Sequence, residues 1–129
     1  MERDMGVATP EDMAETFVQR FNDRDAAGML ALYAPEAIFT MDGETYARGA
    51  DEIKGVIDQL LSAPSTMKGK YDSVLVAGDT AVCKLRWELL DGEGWISMDG
   101  VSMEVLRRGD DGKWRFIIDD ATGTSRAAE

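Results

Sequence analysis

Residues 76–123 read VAGDTAVCKLRWELLDGEGWISMDGVSMEVLRRGDDGKWRFIIDDATG, and this stretch decides the fold. Long β-type runs cover about 80–90, 95–108 and 113–121, with Gly78-Asp79, Asp91-Gly92 and Asp111-Gly112 standing between them as turn signals. A further run over 67–77 precedes them, so the carboxy-terminal half is expected to form an antiparallel meander. Period-two alternation places Cys83, Leu85, Trp87 and Leu89 on one face of their strand and Lys84, Arg86 and Glu88 on the other. A sheet with one apolar face has to cover it, and the cover must come from the amino-terminal half.

That half supplies helices. Thr9-Pro10-Glu11-Asp12 offers an N-cap, a proline at the first helical position and early carboxylates that suit the helix dipole. Met13, Ala14, Phe17, Val18 and Phe21 follow at helical spacing, so a helix is expected to about residue 22. Asp25 caps a second, shorter helix with Met29, Leu30, Leu32 and Tyr33 on its apolar side, ended by Pro35. Residues 37–41 read as a strand that turns at Asp42-Gly43 and returns over 44–47. Asp51 then caps a third helix whose Ile53, Val56, Ile57, Leu60 and Leu61 form one apolar face. The expected fold is α+β: three amino-terminal helices packed on a strongly curved antiparallel sheet, a cone-shaped α+β barrel with an internal pocket. One domain spans 9–123, with flexible tails at 1–8 and 124–129.

Composition narrows the chemistry. The 129 residues include no His, which removes Ser-His-Asp, Cys-His and His-ligated metal sites within the chain. The lone Cys83 cannot pair within its chain, which suits a reducing compartment, and the cytoplasm is the expected location. A net charge of −11 opposes binding to nucleic acid or an anionic membrane surface. No apolar run is long enough to span a bilayer.

Four segments, FVQRFNDRDAAGMLALYAPEAIF (17–39), YARGADEIKGVI (46–57), VAGDTAVCKLRWEL (76–89) and SMEVLRRGDDGKWRFIIDDATG (102–123), occur in this order. Together they resemble the nuclear-transport-factor-two-like superfamily in its SnoaL-like and ketosteroid-isomerase-like branch, over about residues 11–123, and the ending looks most like a bacterial subgroup. The resemblance implies a pocket for a small apolar or polyketide- or steroid-like molecule and no cofactor. A homodimer is expected through the outer sheet face, because Val82, Arg86, Glu88, Phe116 and Ile118 give it a mixed apolar and charged surface that no helix covers, and the resemblance points the same way. The superfamily holds isomerases, polyketide cyclases, dehydratases, epoxide hydrolases and non-catalytic binding or dimerising modules, so fold analogy does not choose among these. Carried over position by position, the helix-one Tyr of the ketosteroid isomerases becomes Phe17, which has no hydroxyl. The strand-one base falls at about Met41, with Asp42 next to it. The protonated acid falls on Glu104, and Asp119 on the last strand should face the same cavity.

Glu104 lies in Ser102-Met103-Glu104-Val105-Leu106, where desolvation would leave it neutral near pH 7 as a donor or acid; the alternative is that it faces solvent or pairs across strands with Arg115 or Arg86. Of Asp119 and Asp120, alternation sends one inward, and Asp119 with Ile117 beside it is the expected one. Glu104 and Asp119 are therefore the candidate catalytic pair, and Phe17, Phe21, Met41, Leu85, Trp87, Leu89 and Ile117 the candidate pocket wall. Cys83 reads as a small buried hydrophobe. Asp42, Glu44, Asp51 and Glu52 read as caps and a turn, and Arg107 and Arg108 as partners of nearby carboxylates.

Overall fold

The computed structural model describes residues 5–123. A single 3-10 turn, Pro10–Asp12, leads into α1 (Met13–Asn22), followed by α2 (Ala26–Leu30), β1 (Tyr33–Thr40), β2 (Ala47–Arg48) and α3 (Gly49–Leu61). Then come β3 (Thr66–Ala77), β4 (Thr80–Leu90), β5 (Ile96–Arg108) and β6 (Trp114–Asp120). The four long strands lie within a residue or so of their expected limits, because Gly78, Gly94 and Gly112 adopt positive φ at or beside the turns.

The six strands form one curved sheet in the order β2-β1-β6-β5-β4-β3. Strands β3 to β6 make the expected antiparallel meander. The sheet is nonetheless mixed, since β1 joins β6 in parallel. That pairing links the two halves of the chain at long range, and no local pattern announces it.

The helices cover one sheet face. Met13, Phe17 and Phe21 of α1 and Ile53 and Ile57 of α3 are buried in one core with Cys83, Leu85, Trp87 and Leu89, the β4 face that the alternation predicts to be inward. Each such side chain contributes about 1.5–3 kcal/mol by leaving water. Asp25 caps α2 by accepting from the Gly28 backbone N–H at 2.9 Å. Arg107 and Arg108 pair with Glu36 and Asp79.

Four local expectations need correction. Tyr33 is the first residue of β1, not part of α2, because the chain turns at Leu32 before Pro35. Asp51 does not cap α3; the helix begins at Gly49, and Glu52 accepts the Arg48 N–H at 2.9 Å while Asp51 sits in the first turn. The tail expected over 1–8 is tied down at Val7, which exchanges backbone bonds of 2.9 and 2.8 Å with Trp114. Residues 1–4 and the tail at 124–129 lie outside the described residues. Finally, Phe116 faces the core, not the outer surface.

The Phe116 reversal has a specific cause. Val105 pairs with Ile118 and Leu106 with Phe116, so Ile117 is an extra residue on β6, a β-bulge. The bulge puts Phe116 and Asp119, three positions apart, on the same inner face. A second bulge on β3 does likewise: Tyr71 pairs with Leu85 and Ser73 with Lys84, leaving Asp72 unpaired in the ladder.

Candidate functional site

Register brings Val74, Cys83, Glu104, Asp119 and Phe39 into one row across β3, β4, β5, β6 and β1. Glu104 and Asp119 are thus direct cross-strand neighbours, and both are almost fully buried, at 2 % and 5 % exposure. They line a cavity of about 40 Å³ between the sheet and helices α1 and α3. Apart from Tyr71 and Ser102 the rest of its wall is apolar, and it contains no Lys or Arg.

Each carboxyl has a phenol partner. Tyr71 Oη donates to Glu104 Oε1 at 2.6 Å, and Ser102 Oγ donates to Glu104 Oε2 at 2.7 Å. Ser102 Oγ accepts in turn from the Leu85 N–H at 3.3 Å. Tyr33 Oη donates to Asp119 Oδ2 at 2.6 Å. Among the described residues no hydrogen bond reaches Asp119 Oδ1, and Asp119 is part of the cavity wall.

Burial and the adjoining charge of Asp119 push the Glu104 carboxyl up to about 8, against the pull of the Tyr71 and Ser102 bonds. Burial also raises Asp119, to about 6, opposed by the Tyr33 bond and reinforced by the charge of Asp120. Two buried carboxyls on directly paired strand positions in an apolar wall cannot both ionise cheaply, so the pair retains one proton near neutral pH. Neither cross-strand ion pair considered for Glu104 forms: Arg115 is bonded to Asp111, and Arg86 to Asp72 at 2.8 Å. Burial and Glu104 push the Cys83 thiol up to about 12, so it is no nucleophile.

Phe17, Met41 and Leu85 belong to the cavity wall, as do Trp87 and Leu89. Trp87 is fixed there by its indole N–H, which donates to the Ala121 carbonyl at 2.6 Å. Phe21 lies in the core away from the wall, because one helical turn carries it past the cavity. The bulge turns Ile117 out of the wall, and Phe116 takes its place. Asp42 is exposed and caps its own turn, accepting from the Glu44 and Thr45 N–H groups at 2.8 and 2.7 Å, which hold its carboxyl below the usual range. Asp120 accepts from Gly123 N–H at 3.0 Å and is not part of the wall. Met41, at the position of the strand-one base, has no titratable group.

Two site residues, Tyr33 and Tyr71, are not among those expected from the sequence. Tyr33 falls on a helical stripe. Tyr71 sits in Lys68-Gly69-Lys70-Tyr71-Asp72-Ser73, a polar stretch in which only the period-two position relative to Met67 hints at an inward side chain.

The cone of sheet around a buried acidic pair under three helices defines a class of pocket proteins. The SnoaL-like domain family matches residues 14–117, and the chain belongs to it, within the nuclear-transport-factor-two-like superfamily. Among solved structures, a ketosteroid isomerase-like protein from Erwinia carotovora atroseptica superposes with a TM-score of 0.71 at 20% identity, covering 93% of this chain and 97% of that one. A domain assigned as a calcium/calmodulin-dependent protein kinase type II association domain, from Thiobacillus denitrificans, gives 0.78 at 18% identity over 91% and 96%. A nuclear-transport-factor-two-like protein with a cystatin-like fold from Novosphingobium aromaticivorans gives 0.74 at 19% over 92% and 83%. These likenesses show the fold alone. No curated protein matches the sequence.

Proposed function

We propose that the cavity carries out cofactor-free acid-base chemistry, isomerisation or aldol-type cyclisation, on a small apolar carbonyl compound. The observation that carries this is the cross-strand pair Glu104 and Asp119 at the wall of an apolar cavity. Asp119, with its open Oδ1, takes a proton from the carbon beside the carbonyl and returns it at another carbon. Neutral Glu104 and its phenol partner together stabilise the charge that develops on the carbonyl oxygen. At about 40 Å³ the cavity is smaller than the roughly 150 Å³ that admits benzene. A ring-sized or polyketide-like ligand therefore requires the flexible side chains of Met41, Leu60 and Met67 to move aside.

The test is turnover of small β,γ-unsaturated ketones and polyketide-like ketones. Glu104→Gln should bind them and lose turnover, and Asp119→Asn should lose turnover too. If the wild type turns over while both variants match its kcat/KM, the carboxylate pair is wrong. A second reading, a non-catalytic ligand-binding module, is favoured by Phe17 and Met41, which lack the groups that the isomerases carry there. It wins if the wild type is inert but binds such ligands in the micromolar range.

We also propose a homodimer through the outer sheet face, which exposes Met98, Met103 and Ile118 with no helix over them. Sedimentation should show a dimer that Ile118→Lys weakens; only monomer at micromolar concentration would overturn this.

A further inference from the structure

We infer that Tyr71 is a catalytic residue of this site, its phenol O–H donating to the oxygen of a bound carbonyl or phenol in place of the hydroxyl that Phe17 lacks. The inference deepens the acid-base reading and rests on the same cavity. Phe17 on α1 and Tyr71 on β3 both belong to the wall, so a donor lost from the helix is available from the strand. The bulge at Asp72 lets Tyr71 and Val74 share the inner face, which sets the phenol above the row that holds Glu104.

The two buried phenols are not equivalent. Tyr33 is 4% exposed, packs against Phe39 and Phe116 at ring distances of 5.7 and 4.8 Å, and lies behind the wall. It positions Asp119 by holding Oδ2, which leaves Oδ1 toward the cavity. Tyr71 is only partly buried and is itself wall.

The hydroxyl of Tyr71 can be released to a ligand because its partner can carry a proton. When Glu104 is neutral, its O–H donates to Tyr71 Oη, and the Tyr71 O–H turns from Glu104 to the ligand oxygen. No heavy-atom bond changes, and each hydrogen stays on its own oxygen until an oxyanion forms. Ser102, the other partner of Glu104, also lines the cavity, but its hydroxyl is engaged on both sides, donating to Glu104 Oε2 and accepting from Leu85 N–H, so it holds the carboxyl. The donor and Asp119 Oδ1 thus flank one small space, as proton removal beside a carbonyl requires.

The test compares wild type and Tyr71→Phe in two assays. The first is binding of 4-nitrophenol, whose colour reports its ionisation, against nitrobenzene, which has no phenol oxygen. Tyr71→Phe should weaken 4-nitrophenol by about tenfold or more and leave nitrobenzene unchanged. The second is deuterium exchange beside the carbonyl of cyclohex-3-en-1-one, followed by NMR, where kcat should fall about 100-fold with KM little changed. Exchange by wild type that Tyr71→Phe matches overturns the donor role and leaves the acid-base reading standing. A wild type that shows no exchange but binds 4-nitrophenol in a Tyr71-dependent way overturns both the acid-base reading and the catalytic role of Tyr71, leaving Tyr71 as a binding donor. Equal losses for both nitro compounds, or no binding of either by wild type, overturn the donor role.

Discussion

Replacing Glu104 by Gln should flatten the pH dependence of stability. The Glu104 carboxyl rises from 4.5 to about 8 on folding, chiefly because it is buried. The folded state therefore holds its proton more tightly than the unfolded chain, so stability falls as pH rises between these values. The stabilisation is complete below 4.5 and gone above about 8. At about 1.4 kcal/mol per pH unit the window is worth about 5 kcal/mol. That is a large part of the roughly 5–15 kcal/mol that holds a typical domain folded. Gln keeps the shape, its carbonyl accepting from Tyr71 and its amide donating to Ser102, without a charge to bury. Denaturant unfolding of both proteins in half-unit steps across this range measures the difference. The other charged groups are common to both chains, so their effect largely cancels in the comparison. Glu104→Gln should overtake the wild type as pH rises; parallel curves would refute the reasoning.

Tyr33→Phe removes the 2.6 Å bond to Asp119 and should cost about 1.5–3 kcal/mol at pH 8, where Asp119 is ionised, and less at pH 4.5, with unfolding at the two values as the measurement. It should also raise the Asp119 pKa further, visible in a carboxyl NMR titration. Gly100→Ala places a Cβ 3.0 Å from Trp87 Cζ2, and Trp87 is held by Ala121 and cannot easily yield. A loss of about 1–3 kcal/mol with a shift in tryptophan emission is expected. Asp25→Ala removes the cap at 2.9 Å from Gly28 N and should cost about 1 kcal/mol in thermal unfolding.

Much of this architecture is legible along the chain because its determinants are local. The stripe of Ile53 and Ile57, the Asp25 cap and the glycine-bearing turns each act within a few residues, and the structure keeps them. Glu104 can be singled out because the family register places an acid there, its apolar neighbours alone leaving a solvent-facing or ion-paired carboxylate open. What stayed hidden was set by tertiary pairing. Period-two counting cannot see the bulge at Ile117, so Phe116 was placed outside and Ile117 inside. Tyr33 follows Met29 and Leu30 at a spacing that a helix also gives, and only the parallel pairing of β1 with β6 brings its hydroxyl to Asp119. Tyr71 is inward for the same kind of reason, since its role depends on β5 lying two strands away.

The central claim is that Glu104 and Asp119 together retain one proton at neutral pH. Difference infrared spectroscopy at pH 7, comparing wild type with Glu104→Gln, tests it most directly. The account predicts one protonated-carboxyl stretch in the wild type that the substitution abolishes; a wild type without such a band, with both carboxyls ionised, would contradict it.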